Sequence, residues 1–460
     1  MFARYGSDIA SSPARRVCAA STIGVLIPLL ITLIGLIAAP PFAAAQNFKK
    51  LEPKLSGKQA KALSRGFSQM LRDPDAFEAG KARIDEYFKG YFFPAMTNYG
   101  PNELGQLAKY RETLLKTVRG ATVDAAQQQL TDLSLKAGIE LSRGNFHPAV
   151  RYNGTLIIGL LDKRVAANGP PEPLPAATIA LVDLLEQDKA AGGGAAVRVP
   201  ASVKAAAWVG LERHARFGIQ ADYRERVTQA ALALVADTEP QEELSRPVHN
   251  WMKCMAARVL AQQSADGPTA EVHSALTELI ADNQMDLEDR CCAAELLQKI
   301  DYKTGGNWDG AATVLALGQL AQDVLEEEAE ESVEFEKKRL ERAPAFRSPR
   351  RRSTPRRGGT RIDGPEYPRS RLVDRLTSIT AGANSLAKGL LEASEQNLQL
   401  LTAALEQTIT LVVDKDSGDL LVTQSVKELK STVDTLVNGW KPPAAEAAEA
   451  GKEDAADATG

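Results

Sequence analysis

Apolar residues return every three or four positions along most of this chain, the spacing of one buried helical face. Between Gly57 and Met70 the pattern Ala60, Leu63, Phe67, Met70, Leu71 predicts a helix. Asp73-Pro74-Asp75 is both a break and a helix-start signal, and a second helix is expected over 76–88. Pro101-Asn102-Glu103 opens a third, with Leu104, Leu107 and Leu114 along one stripe. Thr122-Val123-Asp124 opens a fourth, carrying Leu130, Leu133, Leu135, Ile139 and Leu141 and closed by Gly144. Loops of a few residues between these elements predict helical hairpins lying side by side. Tyr87, Phe88, Tyr91, Phe92 and Phe93 crowd the link between the second and third helices. They suit a local core packed between helices, or an aromatic platform for a ligand.

From His147 the chain repeats itself. Val150-Arg151-Tyr152-Asn153-Gly154, Val203-Lys204-Ala205-Ala206-Ala207, Met252-Lys253-Cys254-Met255-Ala256 and Asp289-Arg290-Cys291-Cys292-Ala293 align. Each has a basic residue second, small residues at its centre and an aliphatic residue ninth. Their starts are 53, 49 and 37 residues apart. A second helix type alternates with them: segments beginning at Ala180, Ala230 and Ala275 match in phase at spacings of 50 and 45. Two alternating helix types at a period of about 40–47 residues suit a solenoid, in which no single pair buries both of its faces. Small residues in mid-helix would let neighbouring helices approach closely.

Pro148-Ala149-Val150-Arg151 resembles the Pro-x-Val-Arg start of the second helix in bacterial HEAT-like repeats. Pro200-Ala201-Ser202-Val203-Lys204 is a looser form, and Asp289 replaces the apolar first position in the last copy. The resemblance covers about residues 145–330. It implies an α-solenoid that scaffolds or binds partners, and it implies no catalytic residues. The rival tetratricopeptide pattern has a period of 34, and its Trp-Leu-Gly-Tyr signature is not found.

Beyond the repeats, Leu315, Leu317, Leu320, Val324 and Leu325 continue as a helix into the acidic run Glu326–Glu336. The sign then reverses. Residues 337–371 hold 13 Lys and Arg against Glu341, Asp363 and Glu366, with five prolines and Gly358-Gly359. The prolines exclude a helix there, and 343–368 reads as a disordered linker. Leu372 to Leu391, Leu398 to Val412 and Val422 to Val437 predict three further helices, followed by an acidic, Ala-rich tail expected to be disordered.

At the other end, Arg4, Arg15 and Arg16 precede an uncharged apolar run from Ile23 to Ala39, then Pro40-Pro41 and Ala43-Ala44-Ala45. These are the parts of a secretory signal peptide cleaved after Ala45. Retention as an N-terminal membrane anchor is the alternative. The expected division is a signal peptide (1–45), an N-terminal helical region (46–144), a HEAT-like solenoid (145–336), a basic linker (337–371), a C-terminal helical region (372–440) and an acidic tail (441–460). The fold class is all-α, a HEAT-like α-α superhelix with N-terminal hairpins and a C-terminal helical segment. The mature chain would be periplasmic or extracellular, with no membrane span.

Composition adds little to the fold and more to the exclusions. Aromatics make up 5% of the 460 residues, so Ala, Leu and Val must supply the core, which favours helices. The formal charge of −4 becomes −6 once the three arginines and one aspartate of 1–45 are removed, which argues against a nucleic-acid partner. Three cysteines remain, so at most one internal disulfide is possible, joining Cys254 to Cys291 or Cys292, while buried free thiols are the ordinary reading because Cys behaves as a small core residue. The four histidines form no ligand pair on one helical face, and no Gly-x-Ser-x-Gly, Walker or Rossmann motif occurs. No catalytic residue, metal or cofactor is therefore expected, and the chain reads as a non-catalytic scaffold or protein-binding module. Trp208, Arg213, Arg216 and Trp251 are the expected partner contacts, since Trp and Arg are enriched at interface hot spots. Alternatively, Arg350, Arg351, Arg352, Arg356 and Arg357 tether the protein to an anionic envelope polymer or lipid. A third reading is an all-helical enzyme, which requires a cleft of converging acidic residues.

Overall fold

A computed structural model describes residues 47–164, 169–190, 199–240, 244–265, 267–303, 307–342, 369–390, 392–414 and 417–440. The expected signal peptide and acidic tail lie outside these residues, as do the linker arginines 350–352, 356 and 357. The described chain is all-α apart from one short antiparallel pair, β1 (Asp162–Arg164) and β2 (Glu172–Pro173). This pair was not expected from the sequence. It joins two helices, and its three- and two-residue strands are too short to leave an alternating pattern.

Local chemistry sets the helix boundaries. Ser56 caps α1 (Gly57–Ser64) in a capping box with Gln59. The helix expected to run on to Met70 is interrupted at Gly66, whose φ of +86° lies in the left-handed region that favours glycine. Asp73 caps α2 (Pro74–Tyr87) through the backbone N–H groups of Asp75 and Ala76. The chain then widens into a π-turn over Phe88–Phe92. Phe88, Phe92 and Phe93 are buried there, with Phe92 edge to face with Phe88, Phe93 and Tyr110. The aromatic run is core, centred on the pairs a quadrupole favours.

Next come α3 (Leu107–Arg119), α4 (Asp124–Arg143) and α5 (Pro148–Gly159). After the hairpin follow α6 (Pro175–Ala190), α7 (Ala201–Phe217), α8 (Ala221–Val235), α9 (Arg246–Gln263), α10 (Ala270–Ala281), α11 (Leu287–Leu296) and α12 (Gly310–Arg342). The chain ends its described part with α13 (Arg369–Leu386), α14 (Glu392–Val413) and α15 (Asp419–Trp440).

From α4 onward the helices pack in two rows. In one row α5, α7, α9, α11 and α13 touch in that order. In the other α4, α6, α8, α10 and α12 do the same. Each helix of one row also meets its sequence neighbour in the other. The four aligned segments found in the sequence lie in α5, α7, α9 and α11. Their first residues Val150, Val203 and Met252 are buried, while Asp289 is half-buried.

Two apolar cores result. One runs from Met70 to Ile157, and the larger from Leu115 to Val437. The larger core spans the C-terminal helices, because α13 packs on α11, and α15 on α12. The gap in the sequence at the linker is therefore not a gap in the core. The linker's own limits also move inward. Residues 337–342 continue α12, where Lys338 pairs with Glu334 one turn back, and 369–371 open α13.

Candidate interaction face

The second residue of each aligned segment is basic, and in the structure Arg151, Lys204, Lys253 and Arg290 are all buried. Burying a cation requires partners. Arg151 Nε donates to the Ser142 carbonyl at 2.8 Å, and Arg290 Nε donates to the Ile280 carbonyl at 2.8 Å. Both acceptors lie in the last turn of the preceding helix, where carbonyls have no intrahelical donor and carry the negative end of the dipole. Arg290 also reaches Asp323 of α12 at 2.7 Å, and Lys253 lies 3.6 Å from Asp282. In three of the four segments the basic residue thus ties one helix to the end of another.

Arg375 of α13 occupies the same place in the next helix of the row, preceded by Asp374 as Arg290 is by Asp289. It is 4% exposed and bonds Glu288, Glu327 and Glu328, the last two at 3.1 Å. Arg371 adds bonds to Glu328 and Glu331. The acidic run that closes the repeats is thus partly a buried clamp. Sequence reasoning stopped at the fourth segment and missed this fifth one, because the linker separates α12 from α13.

Small residues in mid-helix do bring backbones together. A Cβ on Gly159 would fall 2.6 Å from the Cα of Gly210, so α5 and α7 cross at a pair of glycines. Gly382 of α13 sits as tightly against the Ala294 carbonyl of α11.

With these residues turned inward, each helix of the α5–α13 row leaves one stripe away from the core. On α9 the stripe is Val248, Trp251, Met255, Arg258 and Gln262, spaced three and four residues apart. On α5 it holds Tyr152 and Leu156, on α7 Val209 and Arg216, and on α11 Glu288, Cys292 and Glu295. Its character changes along the row, from apolar on α5 and α9 to charged on α11.

The four expected contact residues separate on this face. Trp251 is 40% exposed and Arg216 is exposed, on the adjacent helices α9 and α7. Trp208 is 3% exposed and fills the core, so its place on a contact surface is corrected: its large apolar ring is used for packing. Arg213 is likewise held inside. It donates to Asp162 at 2.6 Å, and its guanidinium lies 5.4 Å from the Phe217 ring centre. Burial raises the Asp162 carboxyl above its ordinary value, against the pull of Arg213.

The histidines are structural. His147 accepts from the Ala149 N–H as a helix cap. His214, fully buried, meets the Thr178 hydroxyl at 2.9 Å. Burial, then the neighbouring Arg213 charge, lowers it to about 3, so it is neutral. His273 is buried among Thr313, Tyr302 and Trp308, and burial lowers it too.

The three cysteines are free thiols. Cys291 is buried, which pushes its thiol up to about 12. Cys254 Sγ donates to the Asp289 carbonyl, one turn before Cys292 on α11, at 3.6 Å, and Arg258 Nη2, one turn after Cys254 on α9, donates to Cys292 Sγ at 3.2 Å. The neighbouring Cys254 thiol and the Arg258 charge, opposed by burial, hold the Cys292 thiol below its ordinary value.

On the other row, Arg143, Asp183, Glu186, Gln187 and Arg226 line an open depression of about 370 Å³. Its carboxylates are already paired with Arg226 and Arg143. Among the described residues, no cluster of three His, Cys, Asp or Glu is placed to hold a metal, and no helix is long and apolar enough to cross a membrane. No protein-family model, curated protein or solved structure matches the chain.

Proposed function

We propose that this chain is an exported, non-catalytic scaffold built as a HEAT-like α-solenoid, and that the outward stripes of α5, α7 and α9 bind a protein partner. The observation that carries this reading is the repeated placement of a buried basic residue in five successive helices of one row. Such a device keeps the stack in register while leaving the opposite side of each helix free to vary. On that free side Trp251 and Val248 are large, apolar and exposed, with Arg216 on the next helix. Exposed aromatics flanked by arginine are the usual anchors of an interface.

The test places a photo-crosslinking residue at Trp251 or at Glu225, which is exposed on α8 in the other row. In the cell envelope, a crosslinked species specific to the Trp251 position and lost with Arg216→Glu is expected. Equal crosslinking from both positions, or none, overturns the reading.

The second reading, an envelope tether, is favoured by the 13 basic residues packed into 337–371. It predicts salt-sensitive binding to anionic vesicles that is lost when Arg350–Arg352, Arg356 and Arg357 become Gln. Unchanged binding by that variant removes it.

A further inference from the structure

Cys254 and Cys292 come from neighbouring helices of one row, 38 positions apart in the sequence, and two contacts bring them onto facing turns: Cys254 Sγ donates to the Asp289 carbonyl, one turn before Cys292, at 3.6 Å, and Arg258, one turn after Cys254, donates to Cys292 Sγ at 3.2 Å. Their surroundings differ. Cys254 is buried. Cys292 is half-buried, on the outward stripe of α11, beneath the guanidinium of Arg258. Cys291, next in sequence, points into the core. One thiol is therefore accessible and charge-stabilised, a second lies behind it within reach, and the third is turned away. That is the arrangement of an attacking and a resolving cysteine.

We propose that Cys292 and Cys254 form a redox-active dithiol that is oxidised to an α9–α11 disulfide by exchange with small-molecule disulfides. The Cys292 thiolate attacks one sulfur of the small disulfide. The S–S bond of that molecule breaks, its second half leaves as a thiolate and takes up a proton, and a mixed disulfide remains on Cys292. Cys254 then loses its proton to solvent and attacks the Cys292 sulfur, expelling the other half as a thiol. Two protein thiols are oxidised to one disulfide, and one small disulfide is reduced to two thiols. Arg258 is a positioning residue: its charge favours the Cys292 thiolate and is freed when the disulfide forms. The product covalently joins α9 of the proposed contact face to α11, though the chemistry does not depend on that face binding anything.

The experiment incubates the reduced full chain with glutathione disulfide at neutral pH, followed by intact mass and non-reducing peptide mapping. The expected result is a loss of two hydrogens and a linked pair of peptides containing Cys254 and Cys292, with Cys291 still alkylatable. Cys254→Ser should stop at a stable glutathione adduct on Cys292. Arg258→Gln should move the pH midpoint of Cys292 alkylation upward and slow it about threefold near pH 7, since lost thiolate outweighs gained nucleophilicity. In the unmutated chain, three thiols that all remain alkylatable, or a linkage through Cys291, overturn the proposal. A pH midpoint unchanged by Arg258→Gln overturns the role given to Arg258.

Discussion

The α5–α7 and α11–α13 crossings occupy equivalent places in one row of helices, yet different chemistry holds them. Each brings backbones together at a glycine, Gly159 against Gly210 in one and Gly382 against Ala294 in the other. Around the first crossing the neighbours are mainly apolar, with Leu181, Trp208 and Ile158 buried beside a neutral His214, and a single ion pair, Arg213 with Asp162, reaches the Gly159 carbonyl. Around the second lies a cluster of ions, where Arg375 and Arg371 meet Glu288, Glu327, Glu328 and Glu331. Apolar surface alone is non-directional and tolerates sliding, whereas charged groups bond only in one alignment. The directional contacts stand where residues 343–368 separate α12 from α13 and no short loop fixes their alignment.

The largest effect should come from breaking the ionic crossing on one side. Arg375→Ala removes the buried one of the two guanidinium groups that hold Glu328, which is 0% exposed, and leaves it Arg371 alone. A loss at the lower end of about 3–5 kcal/mol is expected in urea unfolding. Replacing both partners, Arg375→Leu with Glu328→Leu, should recover most of that loss, since a buried pair exchanged for apolar groups is often neutral. A double variant no better than the single one would show that the cluster stabilises by more than mutual compensation.

The apolar crossing should yield to volume instead. Gly210→Val adds a Cβ that would lie 2.8 Å from Leu181 Cδ1 and 2.9 Å from the Gly159 Cα, with two methyl groups beyond it. The two helices must separate, at the upper end of the about 1–3 kcal/mol typical of overpacking. The penalty should be the same at low and high salt. A clear salt dependence would mean that the Arg213–Asp162 pair, and not volume alone, holds this crossing.

How much of this is legible in the sequence follows from what each feature leaves in a linear pattern. The alternation of two helix types is visible because buried faces recur every three or four residues, and the aligned segments fall on α5, α7, α9 and α11, which touch in that order. The buried basic position is also visible, at Arg151, Lys204, Lys253 and Arg290, but a basic residue in a helix ordinarily reads as surface. Only the tertiary partners, two of them backbone carbonyls, reveal it as an anchor. Trp208 and Trp251 carry the same side chain and opposite fates; their positions in the helical repeat separate them only once the core face is known. The glycine crossing was anticipated in kind. The Cys254–Cys292–Arg258 contact was narrowed to a helix pair, but which of two adjacent cysteines faces Cys254 depends on helix rotation, which no spacing rule supplies.

Acid should discriminate between the crossings next. His214 lies on α7, and its folded value of about 3 is below the ordinary 6.5. A depressed histidine favours the neutral form in the native state, so the unfolded chain binds more protons between those values. The stabilisation is complete above about pH 6.5 and is lost as pH falls toward 3, amounting to about 2 kcal/mol by about pH 5. His273 is lowered as well and adds loss in the same direction. His214→Gln should flatten the fall in unfolding free energy between about pH 7 and pH 5. An unchanged slope would mean that His214 titrates alike in both states.

The smallest expected effect tests whether ionic contacts matter wherever they occur. Arg226 bonds Asp183 at 2.8 Å and also Glu186, linking α8 to α6, and those bonds raise its guanidinium above its ordinary value. In its partners alone it resembles Arg375. Its side chain is 41% exposed, however, whereas that of Arg375 is 4% exposed. Water and salt screen the first pair, and removing Arg226 leaves two carboxylates that solvent can hydrate. Arg226→Gln should therefore cost only about 0.2–1 kcal/mol, and less still at high salt. If it costs as much as Arg375→Ala, burial is not what separates the two clusters, and the contrast between the crossings must rest on the number of carboxylates each arginine serves.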